Sequence, residues 1–458
     1  MTGQVDVVVI GAGPAGENVA GRCADRGLRV VVVERELVGG ECSYWACIPS
    51  KVLIRPGDVL AAARRVPGAA EAVTGKVDTD AALAHRDKLT SGWDDSGQLP
   101  WLADHGVTLV RGHGRLAGDR TVVVQRPGET STTIRATRAV VLATGTRVLM
   151  PPIEGLAEAR PWDNRDITAA RHVPSRLLVL GGGAVGTELA QAFRRLGSAE
   201  VTVLEGSERL LFREEPFAGE EVAAAFAAEG IDVRTGARVV AVRRDAGGAV
   251  TASLADGSTA AGDEILVAVG RRPATADVGL DTVGLTPGRP VEVADNLRVP
   301  GTDWLYAVGD CNGRSLLTHM GKYQARIAAD VICGKDATAH APVPRVTFTD
   351  PQVCAVGLTE AQAREAGHDI RCVQVPTGSV AGARTLGDGV TGTSKLVVDT
   401  SRQVVLGATF TGPGVQELLH SATVAIAGEV TLEQLWHAVP SFPTVSEVWL
   451  RLLEGYGL

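Results

Sequence analysis

Hydrophobic positions near the start of the chain form a strand–turn–helix–strand pattern. An unbroken apolar run predicts a buried strand over Val5–Ile10, and the glycine-rich segment Gly11–Gly16 follows it as a turn. A helix is then predicted over Glu17–Arg26 and a second strand over Arg29–Val33, which ends at Glu34. This order of elements is typical of one βαβ unit of an α/β fold.

The pattern occurs a second time. It predicts a strand over Arg176–Leu180, a glycine turn over Gly181–Gly186, a helix over Thr187–Leu196 and a strand over Val201–Leu204 that ends at Glu205. Two such units predict an α/β protein with two Rossmann-like dinucleotide-binding domains.

The glycines of each turn have separate uses in a dinucleotide site. The first permits the tight turn, the second lets the backbone approach a pyrophosphate, and the third allows the helix to pack on the strand, while the final acid can accept ribose hydroxyls. A packing turn that binds nothing is the alternative for either copy. The candidates for nucleotide binding are Gly11, Gly13, Gly16 and Glu34 in the first copy and Gly181, Gly183, Gly186 and Glu205 in the second.

Cys42 and Cys47 follow the first of these units. A disulfide needs Cα atoms roughly 4.4 to 6.8 Å apart, whereas residues i and i+5 of a regular helix lie about 8.6 Å apart. Cys42 is therefore expected in a loop and Cys47 at a helix N-terminus, where Pro49 is tolerated in the first turn. That position favours a thiolate, and Lys51 adds positive charge one turn further on.

Other uses of this cysteine pair are a structural disulfide or half of a zinc site. Zinc sites favour two to four intervening residues and a second pair of ligands, and the sequence offers no second pair. No metal site is expected. The remaining cysteines are scattered and are expected as small core residues: Cys23, Cys311, Cys333, Cys354 and Cys372.

Composition narrows the class of protein and its partners. The length of 458 residues predicts about three domains. A net charge of −8 provides no basic stripe for nucleic acid, and no apolar run is long enough to span a bilayer. The N-terminal segment has no signal-peptide pattern, which predicts a cytoplasmic protein. Because thiols stay reduced there, a paired Cys42 and Cys47 are more plausible as a redox-active disulfide than as a structural one.

The cysteines indicate which nucleotides the two sites hold. A nicotinamide donates two electrons and a disulfide accepts two, with a flavin usually between them. The first site, next to the cysteines, is therefore predicted to bind FAD, and the second NAD. Glu205 lies 24 positions after Gly181, where a carboxylate would bind the ribose 2′-hydroxyl and repel a 2′-phosphate. NADH is thus preferred over NADPH, although Arg209 could soften the preference.

Together these residues resemble the flavoprotein disulfide reductases, the group of dihydrolipoamide dehydrogenase, glutathione reductase and mercuric reductase. The resemblance extends over nearly the whole chain. Besides the two glycine turns and the cysteine pair, it rests on Ala143-Thr-Gly145, Val269-Gly-Arg-Arg-Pro273, Tyr306-Ala-Val-Gly-Asp310, Asp350-Pro351 with Val356-Gly-Leu-Thr-Glu360, and Phe442-Pro-Thr-Val-Ser-Glu447.

The resemblance implies a role for individual residues. Cys42 would be the interchange thiol that faces the substrate, and Cys47 the charge-transfer thiol beside the flavin. Lys51 would pair with Glu188 near the flavin ring. FAD would also be bordered by Gly114, Thr144, Gly145 and Asp310, with His319 in a segment near the flavin and Gly270 in a cofactor-bordering motif.

The resemblance also implies the domain order. Residues 1–145 would form the first part of an FAD domain, 146–271 an NAD domain, 272–337 the segment that completes the FAD domain, and 338–458 a mixed α/β interface domain. Family members are homodimers in which the region corresponding to Phe442–Glu447 joins the partner's active site. A homodimer acting on a small-molecule acceptor is therefore expected.

The sequence departs from the family pattern at the catalytic acid-base residue. The family pattern is His-Pro-Thr-x-x-Glu, and Phe442 occupies the histidine position, so His319 or His437 would have to substitute. The cysteine loop differs as well. The changed positions are Glu41, Ser43, Tyr44, Trp45 and Ala46. Tyr44 and Trp45 would narrow the space around Cys42, and they either pack in the core or select a flat or small acceptor.

These departures separate the chain from two groups of the family. Mercuric reductases also lack the histidine, but they carry a C-terminal cysteine pair, and residues 454–458 contain none. The ketopropyl-coenzyme M carboxylating reductases have Phe at the position of Phe442 but His where this chain has Glu447.

Three functions stay open. The favoured one is an NADH-dependent FAD disulfide oxidoreductase, an enzyme like dihydrolipoamide dehydrogenase that passes electrons through Cys42 and Cys47 to a disulfide or related acceptor. The second is a reductase of quinones or other non-disulfide acceptors, or one that cleaves a thioether. The third is a non-catalytic flavoprotein, which the complete electron path disfavours.

Overall fold

The computed structural model describes residues 3–458. The chain divides into two compact units, each assembled from three stretches of sequence. The first unit takes residues up to 49, 85–149 and 270–340, and the second takes residues 50–84, 150–269 and 341–458.

Twenty-one strands lie within residues 3–458. In chain order they are β1 (Gly3–Ile10), β2 (Val30–Glu34), β3 (Thr108–Arg111), β4 (His113–Leu116), β5 (Thr121–Gln125), β6 (Thr132–Leu142), β7 (Thr146–Val148), β8 (Arg176–Leu180), β9 (Glu200–Leu204), β10 (Ile231–Arg234), β11 (Val239–Arg244), β12 (Val250–Leu254), β13 (Thr259–Gly262), β14 (Glu264–Val267), β15 (Arg271–Pro273), β16 (Leu305–Ala307), β17 (Arg345–Thr347), β18 (Gln352–Gly357), β19 (Ile370–Pro376), β20 (Thr393–Asp399) and β21 (Val404–Gly412).

Fourteen α-helices connect these strands in the described part of the chain. They are α1 (Pro14–Ala24), α2 (Gly40–Tyr44), α3 (Cys47–Arg65), α4 (Thr79–Leu89), α5 (Leu99–Asp104), α6 (Asn164–Thr168), α7 (Ala184–Leu196), α8 (Pro216–Ala228), α9 (Thr318–Ile332), α10 (Glu360–Glu365), α11 (Ala381–Arg384), α12 (Val415–Ala427), α13 (Leu432–Trp436) and α14 (Val448–Tyr456).

The first unit is built on a sheet in which β3, β2, β1, β6, β5 and β4 are neighbours in that order and β16 also pairs with β6. Strands β2 and β6 run parallel to β1, and β16 runs parallel to β6, whereas β5 is antiparallel to β6 and to β4. Along β1 alternate side chains enter different cores: Val7 and Val9 pack with helices α1 and α9, whereas Val8 and Ile10 pack with β4 and β5. Burial on both faces explains the unbroken apolar run of this strand.

The second unit contains a parallel sheet with the order β10, β9, β8, β14. Leu177 and Val179 of β8 pack with Leu189 and Phe193 of α7 and with Phe226 of α8. Strands β11, β12 and β13 form a separate antiparallel sheet in this unit. The second glycine turn lies between β8 and α7.

The C-terminal part of the second unit is a five-stranded antiparallel sheet with the order β17, β18, β21, β20, β19. Its buried face packs against α12 and α14, where Leu419 and Leu452 are almost fully buried. This mixed α/β layer and the parallel sheets confirm the fold class that the sequence predicts.

The predicted elements differ from the observed ones mainly at helix starts. Helix α1 begins at Pro14 rather than Glu17, and α7 begins at Ala184 rather than Thr187. In both cases the last glycine of the motif, Gly16 or Gly186, already lies in the first turn of the helix, so the helix begins three residues earlier than predicted. Within residues 3–458, none of the helices combines the length and the apolar character that crossing a membrane requires.

Candidate active site

The first glycine turn leaves an open surface at its centre. Gly11 has φ +105°, and a Cβ there would lie 2.4 Å from the carbonyl oxygen of Ala143. A Cβ on Gly16 would lie 1.9 Å from the oxygen of Gly11, so the turn and helix α1 are tightly packed. At Gly13, by contrast, the nearest atom to an added Cβ is 4.0 Å away. Helix α1 therefore presents its N-terminal N–H groups to free space, which suits a pyrophosphate.

The second turn repeats this geometry. Gly181 has φ +110° and its Cβ would lie 2.6 Å from the oxygen of Ala268, while a Cβ on Gly186 would lie 1.9 Å from the oxygen of Gly181. Nothing lies within 4 Å of a Cβ built on Gly183. In each turn, packing leaves no room for a side chain at two of the glycines, and the remaining glycine faces open space.

Two acidic residues close the turns in the same way. Glu34 accepts hydrogen bonds from the backbone N–H groups of Ala12 and Glu36, each over 2.7 Å. Burial raises the pKa of Glu34. Glu205 accepts from Gly182 over 2.5 Å and from Ser207 over 2.6 Å. Each carboxylate oxygen accepts one of these backbone bonds and keeps a lone pair for a further donor.

Arg209 does not neutralise Glu205 in this arrangement. Its guanidinium donates to three backbone carbonyl oxygens, those of Leu211, Phe212 and Glu214, over 2.8 to 3.0 Å. The cation is therefore already engaged with the loop that follows β9.

The cysteine segment packs directly on the first glycine turn. The N–H of Gly39 donates to the oxygen of Ala12 over 2.8 Å, and a Cβ on Gly40 would lie 2.8 Å from the Cα of Gly13. Cys42 lies in helix α2 rather than in the predicted loop, so that expectation is wrong. The short helix forms because Gly39, at φ 104°, provides the sharp entry to it. Cys47 is the first residue of α3, as predicted.

The break at Trp45 between α2 and α3 brings the two thiols together. The Cys42 thiol donates a hydrogen bond to the Cys47 sulfur, and this bond, with burial, raises the pKa of Cys42 well above its ordinary value. The hydroxyl of Thr318, at the start of α9, lies 3.4 Å from the Cys47 sulfur. Sequence reasoning missed Thr318, whose signal was only its place beside His319.

Charged groups around this pair were also missed by the sequence analysis. Lys322, one turn after Thr318 in α9, lowers the pKa of Cys42 through its positive charge, against the larger effects that raise it. Burial raises the pKa of Glu17, in the first turn of α1, to about 7, while Lys322 acts in the opposite direction. Glu17 and Lys322 would have been recognisable from sequence only as surface charges.

Asp310 belongs to a hydrogen-bonded chain inside the first unit. Its carboxylate accepts from the hydroxyl of Thr146 over 2.9 Å, and Arg271 donates to that hydroxyl over 2.7 Å and to Glu41 over 3.1 Å. Burial raises the pKa of Asp310. This series of hydrogen bonds explains why Glu41 is tolerated beside Cys42, because Arg271 balances the negative charge of Glu41.

The second unit holds Lys51 and Glu188 as an ion pair. The Lys51 ammonium lies 2.7 Å from Oε2 of Glu188 and 4.6 Å from the ring centre of Phe348. The other oxygen of Glu188 accepts from the backbone N–H of Phe348 over 2.9 Å.

The segment with the missing histidine also lies in the second unit. Phe442 is 75% exposed, and Glu447 is 7% exposed. Arg451 donates to Oε1 of Glu447 over 2.6 Å, whereas Oε2 is buried and has no hydrogen-bond partner among the described residues. His437, the possible substitute in this segment, is exposed at the end of α13.

The other predicted site residues are distributed as follows. Tyr44 is only 3% exposed and packs in the core, whereas Trp45 is half-buried. No group of His, Cys, Asp and Glu side chains among residues 3–458 is arranged to hold a metal ion. In the first unit Gly114 is buried in β4, Thr144 and Gly145 are half-buried after β6, and Gly270 and His319 are exposed.

Comparison with known proteins identifies the family. Residues 5–327 match the sequence model of the pyridine nucleotide-disulphide oxidoreductases, and residues 343–452 match the dimerisation domain of the same proteins. The chain belongs to the pyridine nucleotide-disulphide oxidoreductase family. The resemblance that the motifs indicate is thereby confirmed.

Several members of this oxidoreductase family align with almost the whole chain. A dihydrolipoyl dehydrogenase of Thermus scotoductus is 35% identical over 98% of this chain and 97% of its own length. A mercuric reductase of Staphylococcus aureus is 30% identical over 97% of this chain and 81% of its own. The solved structure of the HOCl-induced flavoprotein disulfide reductase RclA of Escherichia coli, in a Cu(II) complex, superposes with a TM-score of 0.87 at 26% identity, covering 99% of each chain.

The chain is accordingly a FAD-dependent pyridine nucleotide-disulfide oxidoreductase, and the predicted reaction class is confirmed. The residues present fit the flavin, because the first glycine turn forms a cradle that side chains at Gly11 or Gly16 would disrupt and that Gly13 keeps open.

Proposed function

We propose that this enzyme carries two electrons from NADH through the Cys42–Cys47 pair to a small-molecule acceptor. The observation that carries the proposal is the hydrogen bond from Gly39 to Ala12, which fixes the cysteine helix α2 on the first glycine turn. A redox pair next to a dinucleotide cradle suits FAD at the first turn and leaves the second turn for the nicotinamide.

Bound FAD would supply two-electron chemistry between the nicotinamide and the disulfide. The backbone N–H groups at the start of α1 would hold its pyrophosphate, and Glu34 its ribose. Asp310, fixed by Thr146, would accept from the ribityl hydroxyls. The remaining contacts are assigned to Gly114, Thr144, Gly145, Gly270, His319 and the Lys51–Glu188 pair.

The two thiols would have different tasks after reduction. The hydrogen bond to Cys47, with burial, raises the pKa of Cys42, which keeps its proton, and the family resemblance assigns the negative charge of the reduced pair to Cys47. The N-terminus of α3 and the Thr318 hydroxyl stabilise that charge. The resemblance, rather than the protonation, assigns to Cys42 the attack on the acceptor, for which it must first lose its proton, and to Cys47 the re-forming of the disulfide.

A second candidate function has its own support in the Phe442–Glu447 segment. Protonating a leaving thiolate needs an acid, and Phe442 offers an exposed apolar ring instead. The geometry therefore favours acceptors whose reduction needs no imidazole, such as quinones, or a thioether whose carbanion an apolar wall protects from protons. Small disulfides would be slow substrates.

We infer NADH as the preferred donor. Glu205 is held by two backbone N–H groups where the ribose 2′-hydroxyl would bind, and Arg209 is engaged by backbone carbonyls rather than available for a 2′-phosphate. A carboxylate in that position repels the 2′-phosphate of NADPH and accepts a hydrogen bond from the 2′-hydroxyl of NADH.

The C-terminal domain would make a homodimer. Six large apolar side chains of this region are exposed in the single chain: Leu386, Val424, Trp436, Val439, Phe442 and Leu458. A second copy covering them would bring Phe442 and Glu447 to the partner's cysteines. The proposed domain order is 1–145 and 272–337 for FAD, 146–271 for NAD and 338–458 for the interface, and light scattering of the purified protein tests the dimer.

One experiment tests the electron path and the acceptor together. The oxidised enzyme is titrated anaerobically with NADH while flavin absorbance and free thiols are measured, and lipoamide, quinones and thioether ketones are then added in turn. Appearance of two thiols per chain in the Cys42–Cys47 peptide supports the path. Flavin reduction without new thiols would reject it in favour of a flavin-only quinone reductase.

A further inference from the structure

A second pair of thiols lies in the first unit, apart from Cys42 and Cys47. Cys23 is in α1 and fully buried, and Cys333 ends α9 and is half-buried. Both cysteines are expected from the sequence only as small core residues. They pack into one hydrophobic cluster, although 310 positions separate them in the sequence.

Helices α1 and α9 lie side by side along their lengths. Near their starts, a Cβ added to Gly321 would lie 3.3 Å from the Cβ of Ala15. Near their ends, Arg26 forms an ion pair with Asp330. Small residues at one end and an ion pair at the other hold the two helices at a fixed spacing.

Cys23 and Cys333 meet at this far end. Cys333 packs against the hydrophobic cluster that contains Cys23, and the two thiols interact electrostatically there, beside Arg26. Burial raises the pKa of Cys23, so this thiol stays protonated. Cys333 is the partly exposed member of the pair and is therefore the one that a peroxide can reach.

We propose that Cys23 and Cys333 form a second redox-active dithiol, which hydrogen peroxide oxidises to a disulfide joining α1 to α9. The Cys333 sulfur attacks one oxygen of hydrogen peroxide, the O–O bond breaks, and a sulfenic acid forms, while the leaving hydroxide takes the proton that Cys333 releases and becomes the first water. The Cys23 sulfur then attacks the Cys333 sulfur, the S–O bond breaks, and a second water leaves with the Cys23 proton. Two thiols are oxidised and one peroxide is reduced to two waters.

The consequence lies at the opposite ends of the same helices. Helix α1 starts at the first glycine turn, and α9 starts at Thr318, beside Cys47. A covalent link between α1 and α9 would restrict their separation, and FAD release would be slower from the oxidised protein than from the reduced one.

The sequence allows the crosslink to be detected without ambiguity. Trypsin releases Cys23 in residues 23–26 and Cys333 in residues 327–335, whereas Cys42 and Cys47 share residues 36–51. The purified flavoprotein is treated with hydrogen peroxide, alkylated under denaturing conditions and digested without reductant. The expected result is a linked peptide of residues 23–26 with 327–335 and loss of both alkylated forms.

Variants provide the controls. Cys333→Ser and Cys23→Ala should each abolish the linked peptide, and Cys372→Ser should leave it unchanged, because Cys372 is half-buried like Cys333 but bonds to Glu360 instead of a thiol. With the wild type, peroxide should also slow the loss of FAD on dilution, and Cys333→Ser should remove that effect. Alkylation of Cys23 and Cys333 that peroxide leaves unchanged would overturn the proposal, as would oxidation of Cys333 alone.

Discussion

Arg451 donates a hydrogen bond to Oε1 of Glu447 over 2.6 Å, and Oε2 of the same carboxylate is buried without a partner among the described residues. A buried carboxylate oxygen without a donor is costly. The family pattern His-Pro-Thr-x-x-Glu implies that a histidine in the place of Phe442 would pair with Glu447. We therefore expect a histidine restored at this position to be the donor that Oε2 lacks.

Phe442→His should raise turnover of lipoamide or oxidised glutathione by about tenfold or more, because a positioned acid-base contributes about 10²- to 10⁴-fold. Steady-state rates with NADH measure the effect. Phe442→Leu is the control, since it changes the ring but adds no titratable group. Wild-type turnover already as fast as that of the histidine variant would contradict the role given to Phe442.

Cys42→Ser should leave flavin reduction by NADH intact and abolish turnover of the physiological acceptor. Cys47→Ser should in addition remove any long-wavelength absorption of the reduced enzyme, because the serine hydroxyl carries no negative charge at neutral pH. Stopped-flow spectra separate the two outcomes. Cys372→Ser, at a half-buried cysteine outside this pair, is the matched control. Normal acceptor turnover by the double serine variant would mean that the disulfide is incidental.

Glu205→Ala should narrow the preference for NADH over NADPH by roughly ten- to 150-fold, since a hydrogen bond to a charged group contributes about 1.5 to 3 kcal/mol. The ratio of kcat/KM values for the two donors measures this. Glu208→Ala, at an exposed neighbouring acid, removes the same charge without touching the turn and should leave the ratio unchanged. A wild type that prefers NADPH would refute the assignment.

The titration of Glu17 should make the free energy of unfolding fall as the pH rises. Its pKa is raised by burial from 4.5 to about 7, so the folded protein binds a proton that the unfolded chain has released. The stabilisation that this bound proton provides is fully present below the unfolded pKa of 4.5 and is lost as the pH rises through the folded pKa of about 7. Urea unfolding midpoints between about pH 5 and about pH 8 measure it.

Glu17→Gln should flatten that pH dependence, because the amide does not titrate. Glu158→Gln, at an exposed acid in the second unit, is the control and should change nothing. A Glu17→Gln protein with the same pH slope as the wild type would show that other groups dominate.

Lys51→Met should lower the free energy of unfolding by about 1 to 3 kcal/mol, because it removes a charged donor from the buried carboxylate of Glu188. Lys51→Met with Glu188→Gln should recover part of the loss, since no buried charge is then unpaired. Urea unfolding of the two single variants and the double variant gives the coupling free energy between Lys51 and Glu188. Full additivity of the two changes would contradict a direct ion pair.

Much of the fold follows from local pattern. The two βαβ units were predictable because a strand buried on both faces is an unbroken apolar run, as at Val5–Ile10, and because a glycine turn with a terminal acid has few other uses. Helix starts were displaced by three residues at Pro14 and Ala184, since Gly16 and Gly186 lie within the first helical turn. The short helix α2 was missed because tertiary packing on the glycine turn, rather than helix propensity, supports five residues.

The sequence by itself determined the family, the paired cysteines and the candidate nucleotide sites, because these depend on residue types at fixed local spacings. Only the tertiary structure decided that Thr318 lies beside Cys47, that Arg271 balances Glu41, that Glu447 keeps an unpaired oxygen, and that Cys23 meets Cys333. Each of these contacts joins side chains through the packing of separate elements, or depends on burial that packing creates. Neither hydrophobic periodicity nor motif spacing encodes which helix ends become neighbours.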